Sequence, residues 1–164
     1  MSTADIGTLQ RTATGFEGRL TRRLDHGADA VWRMLTDPLA MAQWLAPGNI
    51  ELCTGGAVRI DFVDSGIVID SRVTAFEAQR VLAYSWSSGN EPERPMRWEL
   101  APAGEGTTLT LALQIPAGED AAKACAGFEG HLDMLAAALE GVPIKFPFER
   151  FLQARGAYNA QLAG

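Results

Sequence analysis

The stretch 107-TTLTLALQIPAGEDAAKACAGFEGHLDMLAAALEG-141 changes its hydrophobic period halfway. Before Pro116, Leu109, Leu111, Leu113 and Ile115 alternate with Thr108, Thr110, Ala112 and Gln114. Successive side chains of a strand point to opposite faces, so this segment is a strand with one apolar face. After Pro116 the apolar residues recur at helical spacing: Ala121, Cys125, Phe128, Leu132, Leu135 and Leu139 form one stripe. Glu129, Asp133 and Glu140 are read as facing away from it, and Gly141 suits the helix stop. Two glycines inside the helix, Gly127 and Gly130, cost about 1 kcal/mol each against alanine and imply close packing or a bend. A sheet with one greasy face, followed by a long helix with one greasy stripe, buries the first against the second.

Upstream, the pattern is mostly β. Residues 14–27 alternate, with Phe16, Gly18, Leu20, Arg22 and Leu24 on one face, and Arg22 is the charged exception. The period then turns helical: Val31, Met34 and Leu35 mark a short helix with Asp29 as expected N-cap. In 36-TDPLAMAQWLAPG-48, Asp37-Pro38 restarts the helix and Pro47-Gly48 ends it. Strands follow closely at 57–64, 67–77, 80–86 and 96–100, with Asp64-Ser65-Gly66 a hairpin turn and residues 87–95 a loop. Short connections between neighbouring strands imply an antiparallel meander. Residues 1–13 lack periodicity and are expected to be loose. Residues 142–164 form an extension, with a short helix expected from Glu149 to Gln161.

The chain of 164 residues suits one domain. Twenty acidic against 14 basic residues give a net charge of −6, which argues against nucleic acid or a membrane surface as partner. The two cysteines, Cys53 and Cys125, suggest neither a disulfide framework nor a zinc site. No stretch approaches 18 apolar residues and the N-terminus has no apolar core, so a cytoplasmic protein is expected.

Along this order of elements stand Val31-Trp32, 36-TDP-38, Trp44 with Pro47, Gly55-Gly56, Tyr84-Ser85-Trp86, 106-GTTL-109, and Gly127-Phe128 with Leu132. With these motifs the chain resembles the START/Bet v 1-like (SRPBCC) superfamily. More narrowly, it is similar to the family named for a homologue of the activator of the Hsp90 ATPase. Arg22 falls where such members often carry arginine. The resemblance covers about residues 14–141. It implies an α+β helix-grip fold: a curved antiparallel sheet of about six to seven strands wrapped around a long C-terminal helix, with two short helices after the first strand. The chain departs from the family at Phe128, where tryptophan is frequent, at 44-WLAP-47, and at Ala28, where proline is usual.

Such a fold implies a hydrophobic cavity between sheet and long helix. Trp44, Phe62, Tyr84, Trp86, Met96, Trp98 and Phe128 fall on expected inward faces, with Leu135 on the helix stripe. That many large rings suit either a packed core or pocket walls. His131 lies roughly 70° from the stripe centre by the helical step and is placed to meet a ligand or to titrate. Arg22 would anchor a ligand carboxylate or pair with Asp61, Asp64 or Asp70, and Asp64 is a second candidate for chemistry. No nucleophile elbow, phosphate loop or metal spacing is present, and no cofactor is implied. The expected role is a carrier or sensor of a hydrophobic small molecule. The alternative is a cyclase- or dehydratase-like enzyme using the same pocket, and a co-chaperone-like protein ranks third. Phe146, Phe148 and Phe151 in the tail would cap the domain, meet a partner, or form the contact of a homodimer.

Overall fold

The computed structural model of the chain describes residues 6–163. The elements are β1 (Thr8–Arg11), β2 (Gly15–Leu24), α1 (Ala28–Thr36), α2 (Pro38–Met41), β3 (Gly48–Ile50), β4 (Ala57–Phe62), β5 (Ile67–Glu77), β6 (Val81–Ser85), β7 (Pro95–Ala103), β8 (Gly106–Pro116), α3 (Ala121–Leu139) and α4 (Phe148–Ala163). All eight strands join one antiparallel sheet in the order β1-β2-β8-β7-β6-β5-β4-β3. The helices α1 and α2 carry the chain from β2 to the far edge. The meander β3 to β8 then returns, and β8 pairs with β2 from Gly15↔Pro116 to Leu24↔Thr107. On β5 the register shifts between Val73 and Ala75, where the strand leaves β4 and takes up β6. Such an irregularity bends a strand and helps curl the sheet around α3. This is the helix-grip fold.

The sheet has eight strands rather than six or seven. The additional ones, β1 and β3, are its two edges, with four and three residues. Strands so short show no usable alternation. The correction at β1 is the larger, because the N-terminal segment is paired rather than loose: Thr8↔Arg19 through Arg11↔Phe16 join it to β2. Residues 1–5 of that segment lie outside the described residues.

Local chemistry explains the helix ends. The Asp37 carboxylate accepts the Ala40 N–H at 3.0 Å, with Pro38 at the first helical position. Helix α2 closes after Met41, and only hydrogen-bonded turns continue toward Pro47. Asp120 caps α3 through the Lys123 N–H, and Gly141 takes the left-handed conformation with φ 75° just past its end. Asp29 does not cap α1. Gly27 is the N-cap, without a side-chain bond, and Asp29 sits inside the first turn.

Glu129 contradicts the expected outward face of α3. Its side chain is 1% exposed and faces Arg22, whose guanidinium donates to Glu129 Oε1 at 2.7 Å, to the Glu129 carbonyl at 3.2 Å and to Asp133 Oδ1 at 2.8 Å. Arg150 of α4 approaches the same carboxylates at 3.8 and 3.4 Å. The Tyr158 hydroxyl and the Gly7 N–H both donate to Glu129 Oε2. Two arginines and two carboxylates balance in charge, as a buried cluster must. Burial, with Glu129 alongside, raises the Tyr158 hydroxyl far above the usual phenol range. Arg22 therefore takes neither a ligand carboxylate nor Asp61, Asp64 or Asp70. It clamps β2 to α3, and α4 with the N-terminal segment closes over the clamp. Leu9 N–H donates to Gln161 Oε1 at 2.7 Å, which completes the attachment.

Candidate functional site

Five of the expected wall residues are buried between the sheet centre and α3. Trp44 is 1% exposed, meets Trp98 edge-on with centroids 5.9 Å apart, and donates its indole N–H to the Met34 carbonyl at 2.6 Å. Tyr84, Met96, Trp98 and Leu135 are buried in the same cluster. Edge-to-face rings whose polar edges are satisfied pack as tightly as aliphatic side chains. These five residues belong to the buried core and are not among the residues that line the cleft beside it. Asp64 is exposed in the β4–β5 turn and is not among the residues that line the cleft described below.

A cleft of about 600 Å³ lies beside that core. The β4–β5 hairpin gives it Phe62, Ile67 and Ile69, and Trp86 follows β6. Leu113 and Ile115 of β8 form its floor, α3 supplies one wall through Lys123, Gly127, Phe128 and His131, and Phe151 of α4 closes a corner. Of the expected site residues, Phe62, Trp86, Phe128 and His131 meet here. Their rings form one contacting chain: Phe62 to Trp86 at 5.9 Å, Trp86 to Phe128 at 5.1 Å, and Phe62 to His131 at 6.1 Å.

His131 is the polar group inside this apolar wall. Its Nδ1 lies 2.8 Å from the Trp44 carbonyl, which only accepts, so Nδ1 carries the proton. Burial lowers the imidazole pKa, against the opposing hydrogen bond to Trp44. The ring is thus held neutral, and Nε2 keeps a lone pair with no hydrogen-bond partner among the described residues. An acceptor of this kind receives a hydroxyl proton or removes one.

The rim is charged. Arg94 donates to both oxygens of Glu119, at 2.7 and 3.1 Å, and to the Trp86 carbonyl at 3.0 Å, which ties the 87–95 loop to the start of α3. The bond to Glu119 raises the Arg94 pKa despite partial burial. The two helix glycines separate in role. A Cβ on Gly130 would meet the Phe146 ring at 2.6 Å, whereas one on Gly127 would enter open space in the cleft. Among the described residues no group of three or more His, Cys, Asp or Glu side chains could hold a metal ion.

Sequence reasoning missed Gly127, Lys123, Arg94 and Phe151 as cleft residues. Lys123, Gly127 and His131 are spaced i, i+4, i+8 and so share a face of α3, a signal present in the sequence. Arg94 and Phe151 reach the cleft from a loop and from α4, and nothing local marks them.

Residues 25–140 match the family described as activator of Hsp90 ATPase homolog 1-like protein. The chain belongs to that family. It also belongs with the START/Bet v 1-like folds, as this activator-homologue architecture implies. Among solved structures it is similar to CalU16 from Micromonospora echinospora, at 21% identity over 96% of each chain with a TM-score of 0.79. The protein BPP1335 from Bordetella parapertussis is 26% identical, covering 99% of this chain and 96% of that one, with a TM-score of 0.74. DynU16, a protein in the dynemicin biosynthetic locus, is 34% identical with a TM-score of 0.69, covering 77% of this chain and 48% of its own. No curated protein matches the chain. Two departures from the activator-homologue pattern are now explicable. Ala28 is the first residue of α1, where a proline's missing N–H would cost nothing. Phe128 fits between Trp86 and Trp98, with centroids 5.1 and 6.4 Å away.

Proposed function

We propose that the chain binds an apolar small molecule in the cleft between the β4–β5 hairpin, β8 and α3, as a carrier or sensor. The observation that carries this reading is the cleft itself. It offers about 600 Å³ walled by Phe62, Ile69, Trp86, Leu113, Ile115 and Phe128. Small-molecule sites commonly span about 300–1,000 Å³, with apolar walls and few polar groups. The likeness to DynU16, a protein of a biosynthetic locus, supports a small organic ligand. Nile red, a neutral dye, tests it. Wild type is expected to enhance the dye's emission. Gly127→Leu, which fills the cleft without a backbone clash, is expected to abolish the enhancement while keeping the melting temperature. Equal enhancement by both proteins would sink the reading.

A second reading, catalysis on the bound molecule, is favoured by one observation: His131 is neutral with an open lone pair inside an apolar wall. A general base needs that state at neutral pH. A cyclase- or dehydratase-like activity would appear as turnover of β-polyketone probes by wild type. His131→Phe would lose it while retaining dye binding.

A further inference from the structure

His131 and Gly127 define what the cleft selects, and this inference rests on the binding reading above. The two residues are one helical step of four apart on α3, so they lie about 6 Å apart along its axis. At Gly127 the helix presents bare backbone, with open space in front of it. A flat body lies there as a bulkier residue would not permit. Trp86 and Phe128 supply ring faces and edges to the same cleft.

At His131 the wall carries an unmet polar atom. Nδ1 donates to the Trp44 carbonyl, so Nε2 is an acceptor without a hydrogen-bond partner among the described residues. The rings of Phe62, Phe128 and Phe146 stand around the imidazole, with centroids 6.1, 6.5 and 5.2 Å away. An acceptor in apolar surroundings gains from a donor that arrives on an apolar body. The other polar side chains lining the cleft are charged, and they are matched at the rim. Arg94 faces both Glu119 and Glu91, at 2.7 and 3.5 Å, and Arg155 meets Asp120 at 2.8 Å. Lys123 is exposed, and its charge also acts on Asp120. Three acids therefore stand against three bases, and Lys123 lies about 12 Å along the helix from His131. A rim so balanced favours a ligand ion of neither sign, whereas His131 keeps a place for a neutral donor.

We propose that the ligand is a neutral, flat aromatic alcohol, a phenol of two or three fused rings, with its hydroxyl donating to His131 Nε2 and its rings over Gly127. His131 then selects for a hydrogen-bond donor, Gly127 selects for flatness, and the balanced rim gives a charged group no partner. A capped hydroxyl leaves Nε2 unmet, and a carboxylate sets an unpaired charge against apolar walls.

Displacement of Nile red by three matched probes tests this: 2-naphthol, 2-methoxynaphthalene and 2-naphthoate. Wild type is expected to bind 2-naphthol about three- to tenfold tighter than its methyl ether, the scale of one neutral hydrogen bond. It should bind 2-naphthoate at least about tenfold more weakly than 2-naphthol, because the carboxylate finds no free partner. In His131→Phe the ratio of naphthol to ether affinity should fall to about one. Melting temperature and Nile red emission report whether that variant keeps its fold and cleft. Three results each overturn the proposal while the cleft stands: an ether or naphthoate that wild type binds as tightly as naphthol, a naphthol preference that survives His131→Phe, or no displacement by any probe from a protein that binds Nile red. Nile red emission indifferent to Gly127→Leu overturns the binding reading, and this inference with it.

Discussion

Gly127 and Gly130 sit three residues apart on one helix, yet their neighbours demand opposite things of them. Alanine at Gly127 meets nothing within 4 Å, so the change removes only the unfolded chain's extra freedom and is expected to stabilise by about 0.5–1 kcal/mol. Alanine at Gly130 drives a methyl into Phe146, and overpacking of about 1–3 kcal/mol outweighs the helix gain. Urea denaturation of both variants checks the pair, and the signs should differ. His131 gives a pH-dependent expectation at the same scale. Burial holds its folded pKa below the ordinary 6.5, against the Trp44 bond, so between the two values the unfolded chain binds more protons. Stability contributed by the neutral ring is full above about pH 6.5 and is lost as pH falls below it. Wild type should weaken relative to His131→Phe on going from about pH 8 to about pH 5 in urea melts. Parallel curves would refute this. None of these contrasts is visible in the residues alone, since both glycines cost the same by helix propensity.

Helix α3 and strand β2 are held by more than their apolar stripe. Removing the charge of Glu129 leaves Arg22 and Arg150 with only Asp133, in a place where Glu129 is 1% exposed. Glu129→Gln is expected to cost about 3–5 kcal/mol, the scale of a broken buried pair. Tyr158→Phe removes one of the donors to Glu129 Oε2 and should cost about 1–3 kcal/mol. The double variant should lose less than the sum, because both act on one network. Chemical denaturation of the three proteins measures the coupling. The elements themselves were legible: alternation places Leu109, Leu111, Leu113 and Ile115 on the buried face of β8, and all four are buried. The error at Glu129 has a definite cause. A carboxylate on a helix reads as solvent-facing, and the partners that bury it are 107 and 29 residues away.

At the scale of the molecule, the C-terminal extension is part of the body. Tyr158 and Ala154 are buried, Arg150 completes the charged cluster, and Phe151 walls the cleft. A chain ending at Gly141 would strip these from Glu129 and from the core. The expected loss is at least about 5 kcal/mol, most of the stability of a domain this size. Circular-dichroism melting should show a broad, early transition, and Nile red enhancement tied to the cleft should vanish. A sharp transition near that of the full chain would instead make residues 14–141 a self-sufficient domain. Among the described residues no helix is long and apolar enough to cross a membrane.

The amino-acid sequence by itself determined the architecture, because a period of two and a period near 3.6 are local properties that survive any tertiary arrangement. The switch of period across Pro116, the Asp37-Pro38 start and the Gly141 stop all act within a few residues. The family resemblance also lies in such local motifs. Only the tertiary structure decided which inward aromatics fill space and which surround it. Trp44 and Trp98 meet edge to face, with the Trp44 indole bonded to Met34, while Phe62, Trp86 and Phe128 line the cleft. The difference arises where a hairpin, a loop and two helices converge, and the volume left between them is a sum over distant surfaces that no single stretch of chain encodes.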